Sequence, residues 1–188
     1  MPDPILFFAL GTVCVLALLW VKARFWSFSA QKPKDYALGG PQFDLREHLR
    51  GPILCEGVIY GPLGRVTSRF VGKFEAHWDG NRGVMREHFI YDSGATQDRE
   101  WRLELGNNGS IKADADDLVR PGHGQMCGSA VQLNYTIRMP EDAGGHVLDT
   151  VDWMYLAPNG TIINRSQFRK FGVPVAELVA TMRRVDAV

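Results

Sequence analysis

The sequence predicts a mainly β protein: an antiparallel up-and-down barrel with one short helix, set behind a single N-terminal membrane helix. Three observations carry this expectation. A seventeen-residue run, Ile5 to Val21, contains no charge. Beyond it, turn signals recur at close and regular intervals. Between those signals lie runs of alternating or β-branched residues, joined in hairpin order.

The apolar run, ILFFALGTVCVLALLWV, would cover about 25 Å as a helix, close to the roughly 30 Å hydrocarbon core. Trp20, Phe25, Trp26 and Phe28 add an aromatic collar at its C-terminal end. A cleaved signal peptide needs positive charge before the run, and here only the terminal amine precedes it, offset by Asp3. A lipoprotein signal needs a cysteine directly after a small residue at the end of the run, but Cys14 follows Val13 in mid-run. An uncleaved anchor over residues 1–26 needs neither feature. Lys22, Arg24, Lys32 and Lys34 follow the run and no Lys or Arg precedes it, so flanking charge favours a cytoplasmic domain.

Residues 27–42, SFSAQKPKDYALGGPQ, lack apolar periodicity and read as a linker holding the domain near the bilayer. The barrel is expected over 43–188. It opens with a capping-box-like start, Asp44 with Glu47 three residues on, for the short helix DLREHLR, ended by Gly51. Turns follow at Gly61-Pro62-Leu63-Gly64, Asp79-Gly80-Asn81, Asp92-Ser93-Gly94, Gly106 to Gly109, Glu141 to Gly145 and Pro158-Asn159-Gly160. Seven or more strands lie between them, and closing the sheet on itself would remove its exposed edges. In GHGQMCGSA, Gly122 to Ala130, the glycines suit a bend or bulge better than a phosphate cradle, because no P-loop or strand-GxGxxG-helix context surrounds them. The tail VPVAELVATMRR has apolar spacing that would serve a helix, while its Val and Thr residues suit a closing strand, which is the expectation here.

Composition excludes several functions. The 21 basic and 21 acidic residues cancel, and no basic-aromatic clustering supports nucleic-acid binding. The five histidines are scattered without metal-ligand spacing, so neither metal nor cofactor is expected. Cys55 and Cys127 could pair only in an oxidising compartment.

Alternation assigns faces. In GVMREHFIYD, Met85, Glu87, Phe89 and Tyr91 share a side, and in REWRLEL so do Arg99, Trp101, Leu103 and Leu105. These apolar faces point inward, which buries Glu87 and Arg99 and predicts that each finds an ionic partner, most simply the other. For VDWMYLAPNGTIINRSQFRKFG, a two-residue Asn159-Gly160 turn would set Trp153 opposite Ser166, Tyr155 opposite Asn164 and Asp149 opposite Lys170 on a core-like side. Asp152, Arg165 and Gln167 would lie on the other, either solvated or facing a polar pocket.

The residues also resemble a known family. E-x-F-x-Y-D at Glu87 to Asp92, R-x-W at Arg99 to Trp101, D-W-M at Asp152 to Met154, N-R-S at Asn164 to Ser166 and K-F-G at Lys170 to Gly172 together resemble the DUF3833 family of bacterial proteins of unknown function, over about residues 43 to 185. The resemblance implies a lipocalin-like, calycin-like barrel whose relatives often hold small apolar molecules. It also implies the bacterial inner membrane and, since many members look like exported lipoproteins, a periplasmic domain. The lipobox of such members is missing here.

Three functions follow as expectations. One is a membrane-anchored module binding a lipid, fatty acid or other small apolar ligand through Glu87, Arg99, Trp101, Asp152, Trp153, Asn164, Arg165 and Lys170. Another is an accessory or assembly subunit of a larger membrane complex, docked through its helix. The third, an enzyme using Glu87 or Asp152 as acid or base, has no nucleophile, metal set or cofactor cradle behind it.

Overall fold

The computed structural model describes residues 3–185; the expected outer ends of the anchor and of the barrel, residues 1–2 and 186–188, lie outside them. Helix α1 spans Pro4–Phe25, capped by Asp3, whose side chain accepts from the Ile5 amide, with Pro4 in the first turn and Lys22 and Arg24 in the last. None of its residues is buried. Two 3-10 turns follow, Phe28–Ala30 and Pro33–Tyr36, then the short helix α2, Leu45–His48. Ten strands follow among the described residues: β1 Gly51–Tyr60, β2 Val66–Asp79, β3 Arg82–Tyr91, β4 Thr96–Leu105, β5 Ser110–Asp114, β6 Leu118–Cys127, β7 Ala130–Arg138, β8 Val147–Leu156, β9 Ile162–Lys170 and β10 Val173–Arg184.

Each strand pairs antiparallel with its sequence neighbours, and β10 pairs with β1 from Ile53↔Arg184 to Tyr60↔Glu177, so the sheet is a closed barrel. The tail is therefore the closing strand, and no edge is left exposed. Two strands escape a reading by alternation. β5 has only five residues. β6 carries Pro121, Gly122 and Gly124, and its register against β7 shifts between Leu118 and Arg120 and again between Arg120 and His123, across Pro121 and Gly122, so the expected bulge lies at the first of those glycines. A Cβ on Gly124 would lie 2.1 Å from the Gln132 carbonyl oxygen, so the two strands approach there as only glycine allows.

The barrel has one closed and one open end. At the closed end, α2 lies across the opening with Leu45 and Leu49 in the core. The Asp44 side chain caps its N-terminus by accepting from the Arg46 amide, the Arg46 guanidinium donates to Asn81, and Trp78 Nε1 donates to the Leu49 carbonyl at 2.7 Å. At the open end lie the β1–β2, β3–β4, β7–β8 and β9–β10 connections and the 115–117 loop. The inner wall is apolar, built on Phe70, Phe74, Trp101, Leu103, Leu133, Ile137 and Met154, at positions of alternating strands that can only face inward.

The 27–42 stretch is folded against the outer wall as a strap. Tyr36 packs on Trp153 and Tyr155 with ring centroids 5.3 and 5.4 Å away. Gln31 accepts hydrogen bonds from the Tyr36 and Tyr155 hydroxyls. The Phe43 amide donates to the Gly128 carbonyl at 2.8 Å. Gly128, at φ 56°, meets the strap so closely that a Cβ would stand 1.9 Å from the Tyr36 carbonyl oxygen.

The β8–β9 register corrects the hairpin expectation. The loop is three residues long, Pro158-Asn159-Gly160, closed by the Ala157 amide donating to the Thr161 carbonyl, with Gly160 at φ 80°. Asp152 therefore pairs with Ser166, Trp153 with Arg165, Tyr155 with Ile163 and Asp149 with Arg169. The one-residue difference inverts β8: Asp152 and Met154 face the interior, while Trp153 and Tyr155 face outward beneath the strap.

Candidate ligand-binding cavity

The inward positions enclose a cavity of about 180 Å³ that reaches from Leu45 and Leu49 at the closed end to Met139 and Pro140 at the open one. Its wall is largely aromatic and aliphatic, with Phe70, Phe74, Phe89, Tyr91 and Tyr135 among the lining residues. Against this wall stand a few polar groups from distant parts of the sequence: Glu87, Gln97, Arg99, Asp117, Asp152, Asn164 and Ser166.

Glu87 and Arg99 are direct cross-strand partners on β3 and β4, both facing inward as alternation predicts. The ion pair itself is different from the expected one. Arg99 turns to Asp117, with Nε 2.9 Å from Oδ2 and Nη2 donating to Oδ1 at 3.1 Å. The reason lies in strand lengths. β5 pairs with β4 only from Arg102 to Leu105, so the earlier half of β4 is left to the loop that carries Asp117. The Arg99 guanidinium also lies over the Trp101 ring at 4.0 Å and within 5.7 Å of the Tyr135 ring, a planar cation held between π-faces.

Glu87 is left without that partner. It is 7% exposed, and its Oε2 has no hydrogen-bond partner among the described residues. Burial pushes its pKa up to about 7; Arg99 and a hydrogen bond from Trp101 pull it down, while the Asp152 and Asp117 charges add to the rise. Asp152 is better served. It accepts from Asn164 Nδ2, and from Ser166 Oγ at 2.8 Å, so the two hydrogen bonds restrain a rise that burial still imposes. The Asn164 amide also donates to the Trp153 carbonyl at 3.1 Å, fixing its orientation. Burial raises the Tyr135 phenol and the Cys55 thiol as well, so neither is ionised near neutrality. All three cysteines are free.

The remaining residues singled out in the sequence lie outside the cavity. Trp153 is fully buried, but under the strap. Arg165 points outward, donating from Nε and Nη2 to the two Glu177 oxygens at 2.9 and 3.0 Å, with its guanidinium 4.5 Å from the Phe28 ring. It is not beside Asp152 in the interior. Lys170 stands on the rim, its Nζ 3.2 Å from His146 Nδ1, and Asp149 accepts instead from Thr136 at 2.9 Å. Sequence reasoning missed Asp117 and Tyr135. Tyr135 had a signal, since alternation in AVQLNYTIR sets it with Leu133 and Ile137; Asp117, in an Asp-Ala-Asp-Asp stretch without periodicity, had none. No group of three or more His, Cys, Asp or Glu among the described residues is placed to hold a metal ion.

The profile of DUF3833, described as a protein of unknown function, matches residues 22–184. The chain belongs to the DUF3833 family. Among solved structures, this DUF3833 barrel is similar to a protein of unknown function from the DUF3598 family of Nostoc punctiforme, with a TM-score of 0.52 and 10% identity over 78% of this chain and 51% of that one. The chain thus spans about half the length of the Nostoc protein, and at that identity the likeness shows the fold alone. A protein with a YmcC-like fold from Bacteroides fragilis matches with a TM-score of 0.35 and 10% identity, over 78% of this chain and 98% of that one. Comparison with curated proteins yields no match.

Proposed function

We propose that this DUF3833 protein is a membrane-tethered binding module whose barrel takes a lipid-like or other small apolar molecule bearing one polar head. The observation that carries the reading is Glu87 Oε2, a buried hydrogen-bonding atom without a partner in an aromatic cavity. A buried polar group left unsatisfied costs roughly 1–3 kcal/mol, and a ligand hydroxyl, carbonyl or carboxyl would offset that cost. Near neutrality the Glu87 carboxyl is divided between acid and carboxylate, so it can donate or accept. Arg99 adds a cation beside it.

Size restricts the guest. A cavity of 180 Å³ offers the room of about six water molecules, which suits a short chain or the head of a longer amphiphile whose tail leaves through the open end. Helix α1 carries a mean hydropathy of 2.5 over its most apolar window, with none of that window buried, and holds the barrel at the bilayer where such molecules partition. Lys22, Arg24, Lys32 and Lys34 favour the cytoplasmic face for the domain, against the periplasmic side that the family resemblance implies.

The test is extraction and mass spectrometry of small molecules from the full chain purified in mild detergent. A single amphiphile class is expected with the wild-type protein and with Arg165→Ala, and its loss with Glu87→Leu and Arg99→Ala. Equal recovery from all four proteins would place the molecule outside the cavity and overturn the reading.

A further inference from the structure

The β9–β10 connection is a two-residue turn: Lys170 pairs with Val173, and Phe171 and Gly172 between them have φ of 52° and 79°. Two positive φ values define a turn that Asn-Gly or Gly-Gly normally occupies. Phe171 is the one non-glycine residue with positive φ among the described residues, and a bulky side chain there is strained. It is also 94% exposed, so no packing within the barrel offsets that strain. The neighbouring β1–β2 loop presents Leu63, 83% exposed, and Val173 beside Phe171 is 61% exposed. β1 and β10 are adjacent, and Pro62 and Pro174 border one groove between the two tips. Both tips stand at the open end, and both carry a cation, Arg65 and Lys170.

The course of the strap relates the open end to helix α1. Followed backwards, it leaves the closed end, where Tyr36 meets Gly128, and binds Tyr155 through Gln31. It then reaches Arg165 through Phe28, and Arg165 itself leans on Glu177, which pairs with Tyr60 near the open end. The chain therefore climbs toward the open end as it approaches α1, on the β9–β10 flank that bears the apolar tips.

We infer that the open end of the barrel faces the bilayer, with Phe171 and Leu63 seated in the lipid surface and Arg65 and Lys170 at the headgroups. The placement rests on the membrane-anchor part of the proposed function, and it gives a lipid guest a route into the cavity without crossing water. Apolar tips flanked by cations suit the boundary between headgroups and acyl chains, and the exposed aromatic that the barrel does not use gains a partner there.

The experiment uses the full chain in vesicles of phosphatidylethanolamine and phosphatidylglycerol, with Cys55→Ala and Cys127→Ala removing two native thiols. An environment-sensitive fluorophore is attached at native Cys14 inside α1 or, with Cys14→Ala, at Leu63→Cys, Phe171→Cys or Asn159→Cys, the last at the closed end roughly 30 Å away. Quenching by spin-labelled lipid is expected to be several-fold stronger at positions 14, 63 and 171 than at 159. Quenching at 14 alone would overturn the orientation while leaving the anchor in place. No quenching at 14 would overturn the anchor and the inference with it.

Discussion

Arg165 holds its guanidinium 4.5 Å from the Phe28 ring while donating to both oxygens of Glu177, and so joins the strap to two strands of the barrel. The contact makes residues 27–42 part of the folded unit. Phe28→Ala and Gln31→Ala each remove one of the strap's side-chain contacts to the barrel and are expected to cost about 1 kcal/mol. Limited proteolysis within 27–42 should then proceed faster, while the barrel core stays resistant.

Gly128→Val should act more strongly at the same interface, because its side chain would enter the space of the Tyr36 carbonyl. The strap is expected to detach, and Trp153, now fully buried, should shift its emission to the red. Trp153→Ala should cost about 3–5 kcal/mol in unfolding experiments, although the residue lines no cavity.

Glu87 makes stability depend on pH. Its folded pKa of about 7 lies above the 4.5 of the free side chain, so between those values the folded state binds the more protons. Stability should be greatest below about pH 4.5 for this group and decline as pH rises through about 7. The difference corresponds to roughly 3 kcal/mol, and burial moves Asp152 in the same sense. Glu87→Gln should flatten the decline and raise stability at pH 8, as read from urea unfolding at pH 5 and pH 8.

Arg99 and Asp117 close the seam where β4 outruns β5. Arg99→Ala would leave Asp117 without its cation and Glu87 without its one favourable charge, at an expected cost of about 3–5 kcal/mol. Asp117→Asn combined with Arg99→Ala should cost less than the sum of the two single changes. Additivity in that double-mutant cycle would mean that the pair is not coupled.

Phe171→Asn should stabilise the barrel by about 1 kcal/mol, since asparagine tolerates the left-handed conformation that phenylalanine resists. The gain should appear as a higher urea midpoint with an unchanged slope.

Much of this architecture was legible because β-alternation and turn chemistry are local. The inward placement of Glu87, Arg99 and Trp101 follows from the period of two, and the closing strand from the β-branched residues of β10. The inverted β8 was not legible, for two local reasons. Pro158-Asn159-Gly160 can close a loop of two residues or three, and one residue exchanges the faces. Trp153 and Tyr155 also look like core, because the strap forms a second apolar layer outside the sheet, which a strand's own sequence cannot reveal. β6 was hidden by Pro121, Gly122 and Gly124, which oppose strand propensity and are held in place by pairing with β7. The true partner of Arg99 depended on the length of β5, which is set by contacts distant in sequence.

The proposed function turns on Glu87 Oε2, which has no hydrogen-bond partner among the described residues in an aromatic cavity and would take a polar head. Carbon-13 NMR of the Glu87 carboxyl across pH tests it most directly, in protein stripped of bound amphiphile and after its return. The stripped protein should titrate near pH 7, and the midpoint should move when the amphiphile binds. A midpoint near 4.5 in stripped protein, unchanged by the amphiphile, would show a solvated carboxylate and contradict the account.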